Sequence, residues 1–223
     1  LPQDVFAQSV ATAAFPTFAE QAARGQKDAM REALAATLRA IFFVTIPAAV
    51  GLLVLRMPLI QAMFERGKFR GSSTEAVALA LMFYAPGLAA HSGIEIVTRA
   101  FYALHDTRTP VIVGAAVVAL NIALGALLSW LLGYVGLALS FTITNTIEPA
   151  TLLVLLRRRM GRVEGRALLG SGLRSLGAAT LAAVVVALLL PRAEDLLPGA
   201  GLVAQFARLA GLALVGGAVY LGA

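Results

Sequence analysis

His91, Glu95 and Arg99 recur every four residues inside an otherwise apolar run. In a helix that spacing places all three on one face, with Glu95 N-terminal to Arg99, the favourable order for pairing. An ionisable group in such a run is costly unless it is paired or wetted. Two chemistries fit: a polar stripe lining a water-filled cavity that meets an anionic substrate, or a self-neutralised pair facing another helix. Asp4, Gln8 and Thr12 repeat the spacing in the first apolar run, ahead of Pro16, and read as a second cavity-facing stripe. Asn121, and Asn145 with Glu148, are the remaining polar groups inside apolar runs. An amide and a carboxylate on adjacent helices can coordinate a cation through oxygen. The preferred reading for both asparagines is an interhelical hydrogen bond, about 0.6–2 kcal/mol in a membrane. Glu148 precedes Pro149, whose missing amide frees a carbonyl one turn earlier and bends the helix. Asp106 and Arg108 lie in the turn Asp-Thr-Arg-Thr-Pro that closes on Pro110, where Asp106 can cap the following helix. Soluble-type chemistry is missing. The chain has no cysteine, only two histidines (His91 and His105), no Gly-x-x-x-x-Gly-Lys and no His-Glu-x-x-His. No thiol nucleophile, metal site or catalytic pair is expected, and the chain does not read as an enzyme.

The elements that position these groups follow from composition. Of 223 residues, 59% are apolar and 13% charged, with mean hydropathy +0.84. Soluble domains carry roughly 25% charge and about 45–50% apolar residues, so a soluble globule and a disordered chain are both excluded. Seven apolar segments emerge: Pro2–Ala23, Thr37–Leu55, Glu75–Leu104, Pro110–Leu132, Gly136–Leu156, Leu168–Leu190 and Gly201–Leu221. None alternates like a barrel strand, and each is long enough to cross about 30 Å of hydrocarbon as a helix. The expectation is an all-α, polytopic transmembrane helix bundle of about seven spans. The third run exceeds one crossing and should tilt, bend or project. Asp28–Ala40, with Met30, Leu34, Thr37 and Leu38 at helical spacing, reads as an extension of the second span rather than a helix lying in the interface. Gly87, Gly114, Gly125, Gly211, Gly216 and Gly217 allow close helix approach. Leu176–Leu190 and Leu209–Tyr220 contain no ionisable group and should face lipid.

The net charge of +6 does not point to nucleic acid, because the basic residues sit in short connectors. The first, third and fifth connectors, the last extended to Arg174, hold 11 of the 18 basic residues. The opposite side carries Arg56, Arg66, Lys68, Arg70 and Arg192. The positive-inside rule puts the odd connectors and the C-terminus in the cytoplasm. The first residue is Leu, and no basic n-region precedes the first apolar run, so the chain reads as part of something longer.

Two connectors are more specific. Met63-Phe64-Glu65-Arg66-Gly67-Lys68-Phe69 and the string Arg-Ala-Phe-Tyr-Ala-Leu-His-Asp-Thr-Arg-Thr-Pro-Val from Arg99 to Val111, with Phe15-Pro16-Thr17 and Ala19, closely resemble the MurJ/MviN family of lipid II flippases. That family belongs to the multidrug/oligosaccharidyl-lipid/polysaccharide exporter superfamily. The resemblance covers essentially the whole chain and places it as the C-terminal half of a fourteen-helix protein of the bacterial cytoplasmic (inner) membrane. It implies transport of a lipid-linked peptidoglycan precursor between leaflets by alternating access, for cell wall biogenesis. Residues 1–160 would supply about five spans of the second lobe. Residues 161–223 would supply two C-terminal helices forming an apolar groove for the lipid tail. The partners implied are membrane lipids, the lipid-linked glycan and the first lobe. In this frame His91, Glu95, Arg99, Asp4 and Gln8 line the cavity, and Asp106, Arg108 and Pro110 form a gate or hinge. The family's cavity arginines lie mainly in the first lobe, with one more just upstream of Leu1, so no residue here inherits their roles. Some members bind sodium through an Asn and an Asp one turn apart. Asn121 matches the Asn, but Gly125 stands where the carboxylate would be, so that site is incomplete unless Glu148 or another oxygen substitutes. No cofactor is expected beyond coupling to a monovalent cation or to protons. Two alternatives share the fold: a structural subunit of a membrane complex, and an exporter of another polyprenyl-linked glycan.

Overall fold

The computed structural model describes the backbone of residues 2–64, 71–161, 165–196 and 202–223, and side chains from residue 7 onward outside 65–70, 162–167 and 193–203. Seven helices follow in order: α1 Pro2–Ala23, α2 Lys27–Phe64, α3 Ser72–Ala103, α4 Arg108–Leu132, α5 Tyr134–Met160, α6 Gly165–Leu196 and α7 Leu202–Gly222. Among the described residues, α2 to α7 are each long and apolar enough to cross a membrane. At 22 residues α1 has the length as well, with a more polar make-up that includes Gln8, Thr12 and Glu20.

The apolar runs mark each helix, but their ends differ. α2 has 38 residues, about 57 Å at 1.5 Å per residue, and takes in all of Asp28–Ala40 as the extension read from the sequence. The reason is packing: Met30, Leu34, Ala35, Leu38 and Ile41 are all buried, a stripe at helical spacing that continues the core. α6 likewise runs through Pro191 to Leu196.

α3 is the hub. It packs against α1, α2 and α5, while α4 packs mainly on α5. α6 and α7 pack on each other and on α2 and make no described contact with α5, although α6 follows α5 in sequence. The main core joins Phe18, Leu34, Leu38, Ile96, Phe101, Leu152 and Leu156. A smaller one gathers Ala179, Ala182 and Tyr220 against Ile46 and Val50.

Two devices set these seams. At the α3–α5 crossing, a Cβ on Gly87 would lie 2.7 Å from Thr142 Oγ1 and 2.8 Å from Thr142 Cα, so only glycine permits the approach. There Thr142 Oγ1 donates to the Phe83 carbonyl at 2.5 Å. By contrast Gly211 and Gly217 face open space. On the other side of the hub, Pro47 cannot donate to the carbonyl of Phe43, one turn earlier in α2. The Tyr220 hydroxyl of α7 donates to that oxygen instead, at 2.8 Å, with the Phe43 and Tyr220 rings 4.9 Å apart.

The outer surface is apolar: Val111, Ile112, Ile122 and Trp130 of α4, Leu169, Leu173 and Leu188 of α6, and Leu214 and Leu221 of α7 are exposed. Such a surface suits lipid rather than water. The Arg-rich connectors share one end of the bundle. Arg159, near the end of α5, bridges to Asp106 in the α3–α4 turn, and Arg31 near the start of α2 lies against Gly161.

Candidate functional site

Glu95 and Arg99 are half-buried on α3, as their spacing requires. Among the described residues no ion pair joins them, and neither makes a side-chain hydrogen bond. The in-helix pair that the sequence allows is therefore not formed in this conformation. A carboxylate and a guanidinium that find no partner among the described residues, on the central helix of a membrane bundle, need water, a ligand or a further part of the protein.

His91 turns to α5. Its Nδ1 lies 2.6 Å from Asn145 Oδ1, and Asn145 Nδ2 donates to the Phe141 carbonyl at 2.9 Å. Because a carbonyl only accepts, the amide orientation is fixed, its Oδ1 faces the ring, and His91 donates from Nδ1. Phe141 stacks on Tyr84 with centroids 4.0 Å apart, which stiffens this seam. Glu148, one turn beyond Asn145, is half-buried. Its Oε1 lies 3.6 Å from where a Cβ on Gly114 of α4 would stand. On the other flank of α5, Asn121 Nδ2 donates to Thr144 Oγ1 at 2.9 Å. Both asparagines thus make the interhelical hydrogen bonds preferred from the sequence. Among the described residues no three His, Asp or Glu side chains gather to hold a metal ion.

On α1, Gln8 and Thr12 are exposed and line a shallow open cleft with Ser9 and Ala13. The side chain of Asp4 lies outside the described residues. α1 packs on α3, so the two polar stripes stand on neighbouring helices, without a hydrogen bond from Gln8 or Thr12 to His91, Glu95 or Arg99.

The turn after α3 is closely determined. Asp106 N–H donates to Phe101 O and His105 N–H to Tyr102 O, both at 3.0 Å. This is the paired pattern of a Schellman ending, with His105 at φ +58° in the position glycine usually fills. Asp106 then caps α4. Its Oδ1 accepts from Arg108 N at 3.1 Å and Thr109 N at 3.0 Å, and its Oδ2 from Thr109 Oγ1 at 2.6 Å. The Thr109 hydroxyl and then the Thr109 amide hold the Asp106 carboxyl below its ordinary value of 3.8; burial opposes them, and Arg159 and the Arg108 amide add smaller lowering effects. The Arg108 side chain is exposed and Pro110 is buried, a tolerated position for proline in a first helical turn. Arg159 was missed as a site residue. Its signal is the triplet Arg157, Arg158 and Arg159 in the last turn of α5, where cations suit the helix dipole. Nothing in the sequence says which of the three reaches the turn. The Met63–Phe69 motif lies largely in residues 65–70, outside the described residues.

These features define a multi-pass helical membrane protein whose central helices carry a polar track through an apolar exterior. Residues 1–205 match the family model described as "Lipid II flippase MurJ". The chain belongs to this MurJ family. It is 31% identical over 151 residues to the "Probable lipid II flippase MurJ" of Vibrio cholerae, covering 68% of this chain and 29% of that protein. It is 31% identical over 153 residues to the "Lipid II flippase MurJ" of Thermosipho africanus, covering 69% of this chain and 31% of that protein. A solved structure, "Lipid II flippase MurJ, inward closed conformation", superposes with TM-score 0.74 at 27% identity, over 99% of this chain and 43% of that one. The chain thus spans about 30% of the length of the curated relatives it matches.

Proposed function

We propose that this chain is part of a lipid II flippase that carries lipid-linked peptidoglycan precursor across the bacterial cytoplasmic membrane by alternating access. The observation that carries this reading is that Glu95 and Arg99 on α3 have no partner among the described residues, in a chain whose matches are MurJ proteins. A guanidinium suits the phosphate oxygens of a lipid-linked glycan, because its planar fork bonds them in pairs. Glu95 is the exchange partner that neutralises Arg99 when substrate is gone, so the two change partners between inward-open and outward-open states. Gln8 and Asp4 of α1 line the same path. No bond is made or broken, so no general acid, base or nucleophile is required.

α6 and α7 present an apolar face for the lipid tail, held to α2 at the Tyr220–Phe43 contact. The gathering of the Arg-rich connectors at one end supports a cytoplasmic C-terminus under the positive-inside rule. Glu148 and His91 are the intramembrane groups through which cation or proton coupling would act. The test uses the full-length protein that contains this segment. Arg99→Ala abolishes rescue of a flippase-depleted strain at unchanged membrane abundance, and normal growth of that variant removes Arg99 from the mechanism.

A further inference from the structure

Arg159 reaches three pieces of chain at once. Its Nη1 lies 2.5 Å from Asp106 Oδ2 in the α3–α4 turn. Its Nη2 donates to Thr109 Oγ1 in the first turn of α4 at 3.3 Å. Its Cζ stands 6.0 Å from the ring centroid of Phe101, in the last turns of α3. One guanidinium on α5 therefore grips both neighbouring helices and the turn that joins them.

We propose that Arg159 is a positioning residue, a strap that binds the α3–α4 turn to the end of α5. The three helices then move as one rigid body, and the Asp106 turn is not where the bundle opens. Their motion rests on the flippase reading; their rigidity does not. Three observations support it. The Asp106 carboxylate takes four donors, from Arg108 N, Thr109 N, Thr109 Oγ1 and Arg159, which fills its acceptor sites. To trade Arg159 for another partner it would have to be rebuilt around the cap of α4. The Asp106 side chain is only 11% exposed, although the Arg159 side chain is 51% exposed, so the carboxylate is sheltered while the guanidinium still meets solvent. The turn itself is fixed by the Schellman pair and by His105 in the left-handed region, whereas a hinge needs residues free to absorb a change in φ and ψ. The polar groups that lack partners among the described residues, Glu95 and Arg99, lie about two to three helical turns before Asp106.

The experiment places spin labels at Thr107→Cys and Arg158→Cys, both exposed positions, in the full-length protein on a background otherwise free of cysteine. Distances are read in bilayers with and without lipid II. The strap predicts one narrow distance that lipid II does not shift, and a clearly broader distribution in Arg159→Gln, as expected when a tie between elements is cut. Arg159→Lys, which keeps charge but not the fork, narrows it part of the way back. Should Arg159→Gln fail to accumulate, Asp106→Asn carries the same expectation, since it retains the Oδ1 cap but puts an amide that cannot accept from Thr109 Oγ1 or Arg159 in place of Oδ2. A distance that shifts with lipid II, or a variant as narrow as the parent, overturns the strap. The broadening is read without any flipping assay. Failure of the flippase reading would instead show as no response to lipid II in a second label pair set between the two lobes.

Discussion

Replacing Gly87 with alanine tests the seam on which the polar track is built. The new Cβ would sit 2.7 Å from Thr142 Oγ1 and 2.8 Å from Thr142 Cα. The hydroxyl could rotate away, but Cα is backbone, so α3 and α5 must separate. Overpacking of this kind costs about 1–3 kcal/mol. Separation also breaks the bond from Thr142 Oγ1 to the Phe83 carbonyl, 2.5 Å long. An interhelical hydrogen bond in a membrane adds about 0.6–1.7 kcal/mol, so the expected loss is about 2–5 kcal/mol. The assay is thermal unfolding of the full-length protein in detergent. Gly217→Ala serves as control, because nothing lies within 4 Å of a Cβ there. Thr142→Ala in the Gly87→Ala background should recover only part of the loss, since the clash with Cα remains. If Gly87→Ala melts with the control, or if Thr142→Ala restores it fully, the backbone approach described here is wrong.

Tyr220→Phe keeps the ring against Phe43 and deletes the donor to the Phe43 carbonyl. It should destabilise by about 1–2 kcal/mol, the range for an unsatisfied buried group and an intramembrane bond. In a Pro47→Ala background the restored amide satisfies that carbonyl, so the same change should become nearly neutral; equal cost in both backgrounds refutes the orphan-carbonyl argument. Asp106 gives a pH signature. Its carboxyl is held below 3.8 by Thr109 first and Arg159 after it. Its stabilisation is therefore complete above that value and lost as pH falls through the lowered one. Asp106→Asn should melt below the parent at neutral pH, and the gap should close on acidification below 3.8; a gap that widens in acid contradicts the assignment.

The helices were legible because apolar runs of spanning length are punctuated by turn residues, and Gly25, Gly133 and Gly161 do take positive φ at three of those breaks. The long start of α2 was legible for the same reason, since its buried stripe has helical period. What spacing could not supply was the partner across a seam. His91 and Asn145 are 54 residues apart, and Tyr220 meets Phe43 across 177. Either pair requires knowing which helices touch. That α6 packs on α2 rather than α5 was equally hidden, because sequence neighbours are usually spatial neighbours. The Glu95–Arg99 spacing permitted a pair that is not made. An in-helix ion pair gains only about 0.2–0.5 kcal/mol, which the rotamer entropy of two long side chains can cancel. That balance leaves both groups available to a ligand.

Water access to those two positions is the most direct check. The chain has no cysteine of its own, so Glu95→Cys and Arg99→Cys can each be placed in a cysteine-free full-length protein. They are labelled in cells with a charged, membrane-impermeant methanethiosulfonate, or with its membrane-permeant partner to reach a cavity open to the cytoplasm. Ile122→Cys, on the apolar outer face of α4 at 68% exposure, is the lipid-facing reference. Both α3 positions should react much faster than Ile122→Cys and be protected by added lipid II. Reaction no faster than at Ile122→Cys, from either side of the membrane, would mean that these charges see lipid or dry protein and that no transport path runs along α3.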